Sequence, residues 1–275
     1  MSTSAGITEP RGWTRGLLRS LSWLVFVFFY APILVLIIFS FSDNRNVGVW
    51  GGFTTSWYAD FVADEPLTGA LSNSLQIAVV ATLVSVVLGT MSGLALERFS
   101  FRGNRVFDAL LYLPVIIPDV TMAVMLLLFF TQAAKWFGFS KGFGTIALSH
   151  IAFCISFVSI VVRARLAGMD DKLEEAAMDL YASRWQAFRH VTLPLIMPGI
   201  VGGALLAMTL SLDDVVITQF VTGAGWSTLP VYVFSLIRKG VTPLINAVSV
   251  VMLVASMALV ALSLLAQRLR GEEAA

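Results

Sequence analysis

Charge, cysteine and histidine are all scarce in this chain. Asp, Glu, Lys and Arg make up only 13% of its 275 residues, against about 25% in soluble domains. The single cysteine, Cys154, excludes an internal disulfide and any cysteine-based metal cluster. No metal or other cofactor is expected. No Gly-x-x-x-x-Gly-Lys phosphate loop occurs, so the chain has no ATP site of the usual kind. Also missing are a small-residue cleavage site after the first apolar run, a fixed-period repeat and a low-complexity tract. The first run therefore reads as a retained anchor, and the chain as one domain. No nucleic-acid partner is expected.

What is plentiful is apolar: 57% of residues are hydrophobic and the mean hydropathy is +0.85. Charge-free runs predict six membrane helices, Ser20–Ser42, Pro66–Leu96, Ala109–Ala134 (broken only by Asp119), Gly142–Val162, Val191–Leu212 and Gly240–Gln267. Each exceeds the roughly 20 residues that a bilayer requires. A seventh run, Val215–Ile237, is broken by Thr222 to Gly225 and by Pro230, and reads as an external loop or re-entrant segment. With six spans, the basic residues near Arg11 to Arg19, Arg98 to Arg105, Arg163 to Arg189 and Arg268 to Arg270 all fall on one side. The positive-inside rule makes that side, and both termini, cytoplasmic. The expected organisation is a tail over 1–19, a six-helix membrane domain over 20–267 with a cytoplasmic loop at 163–190, and a tail over 268–275.

That loop is the most informative polar stretch. Asp171 with Glu174, and Ser183 with Gln186, have the spacing of capping boxes, which predicts two short helices. Leu173, Ala176, Ala177 and Leu180 fall at i, i+3, i+4 and i+7, giving the first helix one small-residue apolar face suited to docking on another protein. The order Glu175, Ala176, Ala177, three residues, Tyr181, nine residues, Val191, one residue, Leu193, Pro194 resembles the EAA loop of ABC importer permeases. In that family the loop seats in a groove of a separate ATPase subunit. The family's pattern has isoleucine where Val191 stands and glycine where Tyr181 stands. If that glycine ends the first helix in a left-handed conformation, tyrosine there costs on the order of 1 kcal/mol. The turn is therefore expected to differ from the family's, with Tyr181 contacting the ATPase instead.

Inside the predicted spans, acids are the exceptional residues. Asp119 follows Pro118 about ten residues into the third span, roughly 15 Å deep at 1.5 Å per residue, where a carboxylate needs a partner or water. It reads either as a relay point for a cation or as a side chain bonding backbone freed by the proline. Asp213 and Asp214 lie near the outer end of span five, where neighbouring acids attract amines. Successive helical residues point about 100° apart, so one of the two is expected to face the path and the other a neighbouring helix or the interface; otherwise the pair reads as a solvated helix end. His150 reads as a hydrogen-bonded packing histidine. Gly89 with Gly93, and Gly199 with Gly203, offer small-residue helix contacts. Pro194, where the loop joins span five, marks a point at which loop motion could enter the bundle.

The resemblance narrows to polyamine importers of the spermidine and putrescine type. It rests on Tyr30 to Leu34 (Tyr-Ala-Pro-Ile-Leu), Pro118 with Asp119, Glu174 to Leu180 including Asp179, and Ser211 to Asp214. Their order is that of the second permease subunit. What this implies is an all-α protein of the bacterial inner membrane with the type I ABC importer permease fold. Implied partners are a second permease chain in a heterodimer, two copies of a cytoplasmic ATP-binding subunit, a periplasmic or extracellular polyamine-binding protein, and the bilayer. The resemblance makes Glu174, Glu175, Ala176, Ala177, Asp179, Tyr181, Leu193 and Pro194 the ATPase-coupling residues, and Asp119, Asp213 and Asp214 the substrate path. Carboxylates suit a di- or polyammonium cargo because they replace its water shell. Trp50, Trp57, Tyr58 and Trp226 are either cation-π partners or an ordinary interfacial belt. A self-contained cation-coupled transporter also uses broken helices and buried acids, but has no use for such a loop. An intramembrane aspartyl protease fits less well, because two of the acids are adjacent on one helix.

Overall fold

The structure, a computed structural model, describes residues 12–170, 172–240 and 242–272. These are helical apart from turns and one isolated bridge between Ser42 and Phe53. The helices are α1 (Gly12–Phe39), α2 (Ser56–Ala63), α3 (Glu65–Arg98), α4 (Asn104–Ile116), α5 (Asp119–Phe137), α6 (Phe143–Leu166), α7 (Lys172–Asp179) and α8 (Arg184–Ala187). After a π-helical turn at Phe188–Thr192 come α9 (Leu193–Asp213), α10 (Val216–Val221), α11 (Leu229–Lys239) and α12 (Pro243–Glu272). Five of them, α1, α3, α5, α6 and α9, are long and apolar enough to cross a membrane, and the apolar part of α12 within Pro243–Ala258 is shorter.

The chain divides into two compact units, Met1–Phe61 with Val241–Val251, and Val62–Gly240 with Met252–Ala275. In the first, none of the apolar stretch of α1 is buried among the described residues, a surface suited to lipid or another polypeptide. Beyond α1 the chain forms a folded knot. The Trp57 indole N–H donates to the Ser42 carbonyl at 2.8 Å, the Tyr58 and Ser40 hydroxyls are 2.8 Å apart, and Phe41 stacks on Phe53.

In the second unit, α6 is the centre, with 61% of its apolar window buried. It is flanked by α3 and α9, and the glycines explain why these approach so closely. A Cβ on Gly89 of α3 would lie 2.7 Å from the Val158 Cβ, and one on Gly203 of α9 would lie 3.2 Å from the Val158 Cγ1. Their partners Gly93 and Gly199 face the Ser159 carbonyl and the Arg165 Cβ of the same helix. Both small-residue pairs expected from the sequence therefore pack on α6, with buried Val158 seated between them. The start of α3 follows from chemistry next to it. The Asp64 side chain accepts the Leu67 N–H at 2.9 Å, and Pro66 falls where a helix does not need its N–H.

One span needs revision, and the seventh apolar run proves not to be a single helix. The expected helix over Ala109–Ala134 is two helices, because Ile117, restrained by the proline after it, takes an extended conformation (φ −72°, ψ 132°) between α4 and α5. Asp119 is consequently the first residue of α5, exposed, rather than a side chain ten residues into a continuous helix. The run Val215–Ile237 divides into α10 and α11, of 6 and 11 residues, each too short to cross a bilayer. The connecting loop is fastened to α3, whose Ser74 hydroxyl accepts the Leu229 N–H at 2.8 Å and whose Asn73 donates to the Gly225 and Ser227 carbonyls.

Candidate functional site

The loop between α6 and α9 is the helix–turn–helix that the capping pattern predicts. Ser183 and Gln186 form a complete capping box at α8: the Ser183 hydroxyl accepts the Gln186 N–H, and the Gln186 side chain accepts the Ser183 N–H at 2.7 Å. Asp171 lies outside the described residues, so its pairing with Glu174 is not part of this picture. The Glu174 carboxylate instead takes Arg98 of α3 at 3.1 Å and the hydroxyl of Thr192 in the π turn.

The turn between α7 and α8 corrects the expectation that a tyrosine there would change it. Tyr181 adopts the left-handed conformation (φ 67°), alone among the described non-glycine residues. Its N–H bonds the Met178 carbonyl at 3.0 Å, and the Ala182 N–H bonds the Ala177 carbonyl at 3.1 Å. This is the Schellman arrangement, with tyrosine in the position that glycine ordinarily fills. The turn is thus kept, and its side chain is thrown outward: Tyr181 is 98% exposed and Leu180 82%. With Trp185, 66% exposed, they form an apolar tip. Glu175, Ala176 and Asp179 are also exposed, while Ala177 is half-buried. Ala177, Leu180 and Tyr181 border a hollow of about 390 Å³ that α8 closes with Gln186 and Ala187.

Leu193 and Pro194 open α9. The π turn before them bonds the Leu193 N–H to the Phe188 carbonyl, five residues back. This wider winding precedes a proline, whose ring crowds the carbonyl four residues earlier and whose nitrogen bonds nothing.

At the other end of α9, Asp119, Asp213 and Asp214 line one cavity of about 460 Å³, together with Pro114, Phe153, Phe157 and Leu210. Asp119, distant in sequence, is therefore brought to the adjacent pair Asp213 and Asp214. Their surroundings differ sharply. Asp214 follows the last residue of α9 and is extended. One of its oxygens accepts the Ile217 N–H at 3.2 Å, and the other accepts the Thr218 N–H and hydroxyl, each at 2.7 Å. It caps the start of α10. His150 of α6, entirely buried, sets Nε2 2.9 Å from the Thr218 hydroxyl and Nδ1 2.7 Å from the Ser211 hydroxyl. Because the Thr218 hydroxyl gives its proton to Asp214, it accepts from His150, which places the ring proton on Nε2. Asp119 and Asp213 are exposed, and among the described residues neither carboxylate accepts a hydrogen bond. Trp226 packs on Phe143 and over Gly142, and Trp57 and Tyr58 are held by their own loop.

Residues 85–271 match the family described as binding-protein-dependent transport system inner membrane component. The chain belongs to that family. Two relatives of this inner membrane component show how far the likeness extends. The putrescine transport system permease protein PotI of Escherichia coli K12 is 44% identical over 84% of this chain and 83% of its own length. The spermidine/putrescine transport system permease protein PotC of Haemophilus influenzae is 39% identical over 90% and 94%. In fold, the component matches a chain in the crystal structure of a bacterial ABC transporter involved in the import of the acidic polysaccharide alginate. The TM-score is 0.73, covering 93% of this chain and 94% of that one at 18% identity. The type I ABC importer permease fold expected from the sequence is therefore the fold of this inner membrane component, a multi-pass protein of the bacterial inner membrane.

Sequence reasoning missed Arg98, Thr192 and Thr218. The last had a signal, since an acid just before an apolar helical run is a cap candidate. The contacts of Arg98 and Thr192 join residues 76 and 18 positions from Glu174, and no local pattern announces them.

Proposed function

We propose that this chain is the permease subunit of an ATP-driven importer of polyamines, of the putrescine or spermidine class. The observation that carries the reading is the layout of α9. Its first residues leave a cytoplasmic loop with an uncovered apolar tip, and its last residues, about 30 Å away at 1.5 Å per residue, carry the acids of a shared cavity. An ATPase subunit docks on the loop through Glu175, Ala176, Asp179, Leu180 and Tyr181, and its closure on ATP displaces α7, Leu193 and Pro194. Asp119 and Asp213 exchange with the hydration shell of an ammonium cargo, while Asp214 holds the wall of the cavity. The names and identity of the polyamine permeases among the relatives support the cargo class.

In this reading, both termini and the loop at 163–190 face the cytoplasm, tails at 1–19 and 268–275 flank a membrane domain at 20–267, and a soluble binding protein delivers cargo from outside. A second, related permease chain completes the path as a heterodimer, and each of two ATPase copies engages one coupling loop.

The test is uptake in proteoliposomes by the complete transporter, with and without ATP, with putrescine, spermidine and an unrelated monovalent cation in competition. ATP-dependent uptake blocked by the two polyamines alone is expected. Uptake driven by an ion gradient without the ATPase would overturn the importer assignment, and indifference to both polyamines would overturn the cargo.

A further inference from the structure

The geometry points to Glu174 as a positioning residue that ties the coupling helix to two membrane helices at once, rather than as part of the surface offered to the ATPase; this rests on the docking role proposed for the loop. Glu174 and Glu175 are neighbours with opposite surroundings. Glu175 is exposed, whereas Glu174 turns inward with 26% of its side chain accessible. Both oxygens of Glu174 are used. Arg98, at the end of α3, takes Oε2, and Thr192, buried in the π turn that opens α9, takes Oε1.

No residue of α7 is buried, so apolar packing does not fasten this eight-residue helix, and the carboxylate fixes where it sits. A partly exposed ion pair stabilises little, so the consequence of this one is direction. It decides which helices a displaced α7 must move. One of them, α9, runs to Asp213. The other, α3, is clamped beside Arg98, where Glu97 meets Arg163 of α6 at 3.4 Å and Arg163 meets Asp108 of α4 at 2.5 Å. A push on α7 therefore enters a braced frame.

The test compares Glu174→Gln, Arg98→Glu, Glu174→Arg and the double reversal Arg98→Glu/Glu174→Arg, with Glu175→Lys in parallel, in the complete reconstituted transporter. Three quantities are read: co-purification of the ATPase, ATP hydrolysis, and uptake per ATP. Glu174→Gln is expected to keep the ATPase bound and hydrolysing while uptake per ATP falls about tenfold, within the usual span of coupling between linked sites. The double reversal is expected to restore most of what either single reversal loses. Unchanged uptake per ATP in Glu174→Gln, loss of ATPase binding in that variant, or no rescue by the double reversal would each overturn the positioning role. If Glu175→Lys loses the ATPase while Glu174→Gln behaves as the native chain, docking stands and the strut falls. If Glu175→Lys binds and transports normally, the docking role falls as well.

Discussion

The two ends of α9 solve opposite problems. At the start, the chain leaves Leu180, Tyr181 and Trp185 uncovered and holds one of them in a left-handed turn at a cost of about 1 kcal/mol. At the finish, the chain supplies three hydrogen bonds to Asp214 from its own backbone and side chains, sets the His150 Nε2 3.4 Å from it, and encloses His150 completely. In the proposed reading, one end is completed by another protein; the other is self-sufficient except at Asp119 and Asp213. Apolar exposure that no described residue relieves is what a surface for a partner would show. A satisfied polar network marks a fixed wall.

The contrast can be broken at either end. The largest effect is expected from Glu175→Lys, which reverses a charge on the uncovered face: uptake is lost while the chain inserts and elutes as the native protein. Normal uptake in that variant would remove the distinction between the ends.

Next come two neighbouring acids that should behave differently. Asp214→Asn removes a charged acceptor from a helix cap and from His150, and is expected to lower unfolding stability in detergent by about 2 kcal/mol as well as to impair uptake. Asp213→Asn and Asp119→Asn are expected to leave stability within about 0.5 kcal/mol and to weaken amine uptake alone. Equal thermal shifts for Asp213→Asn and Asp214→Asn would show that the wall and the contact surface are not separate.

The smallest effect sharpens the other end. Tyr181→Gly relieves the left-handed backbone by about 1 kcal/mol and should slow hydrogen exchange at the Ala182 amide, yet weaken ATPase binding several-fold. Tighter binding in that variant would mean that the exposed ring contributes nothing to docking.

How legible each end was in the sequence follows from the range of the forces that build it. The α8 cap was readable because Ser183 and Gln186 are three residues apart and satisfy each other. The membrane helices were readable from hydropathy, but the break at Ile117 was not, since an apolar run continues through it and only the steric demand of Pro118 on its predecessor divides it. That single break moves Asp119 from a helix interior to a helix start. Adjacency suggested that Asp213 and Asp214 would diverge, and they do, although not by the 100° step, because Asp214 has already left the helix. The Tyr181 turn was legible as a position but not in its outcome: the cost of a left-handed tyrosine suggested a different turn, and the bonds from Ala182 and Tyr181 back into α7 outweigh that cost.

Val158, seated in the notches of Gly89 and Gly203, carries one more consequence. Neither flanking helix can slide along α6 without driving a backbone through a branched side chain. In the proposed transport cycle, a reorientation that presents the acids first to one side of the bilayer and then to the other would therefore tilt the three as a single keyed block, with the give concentrated at its margins.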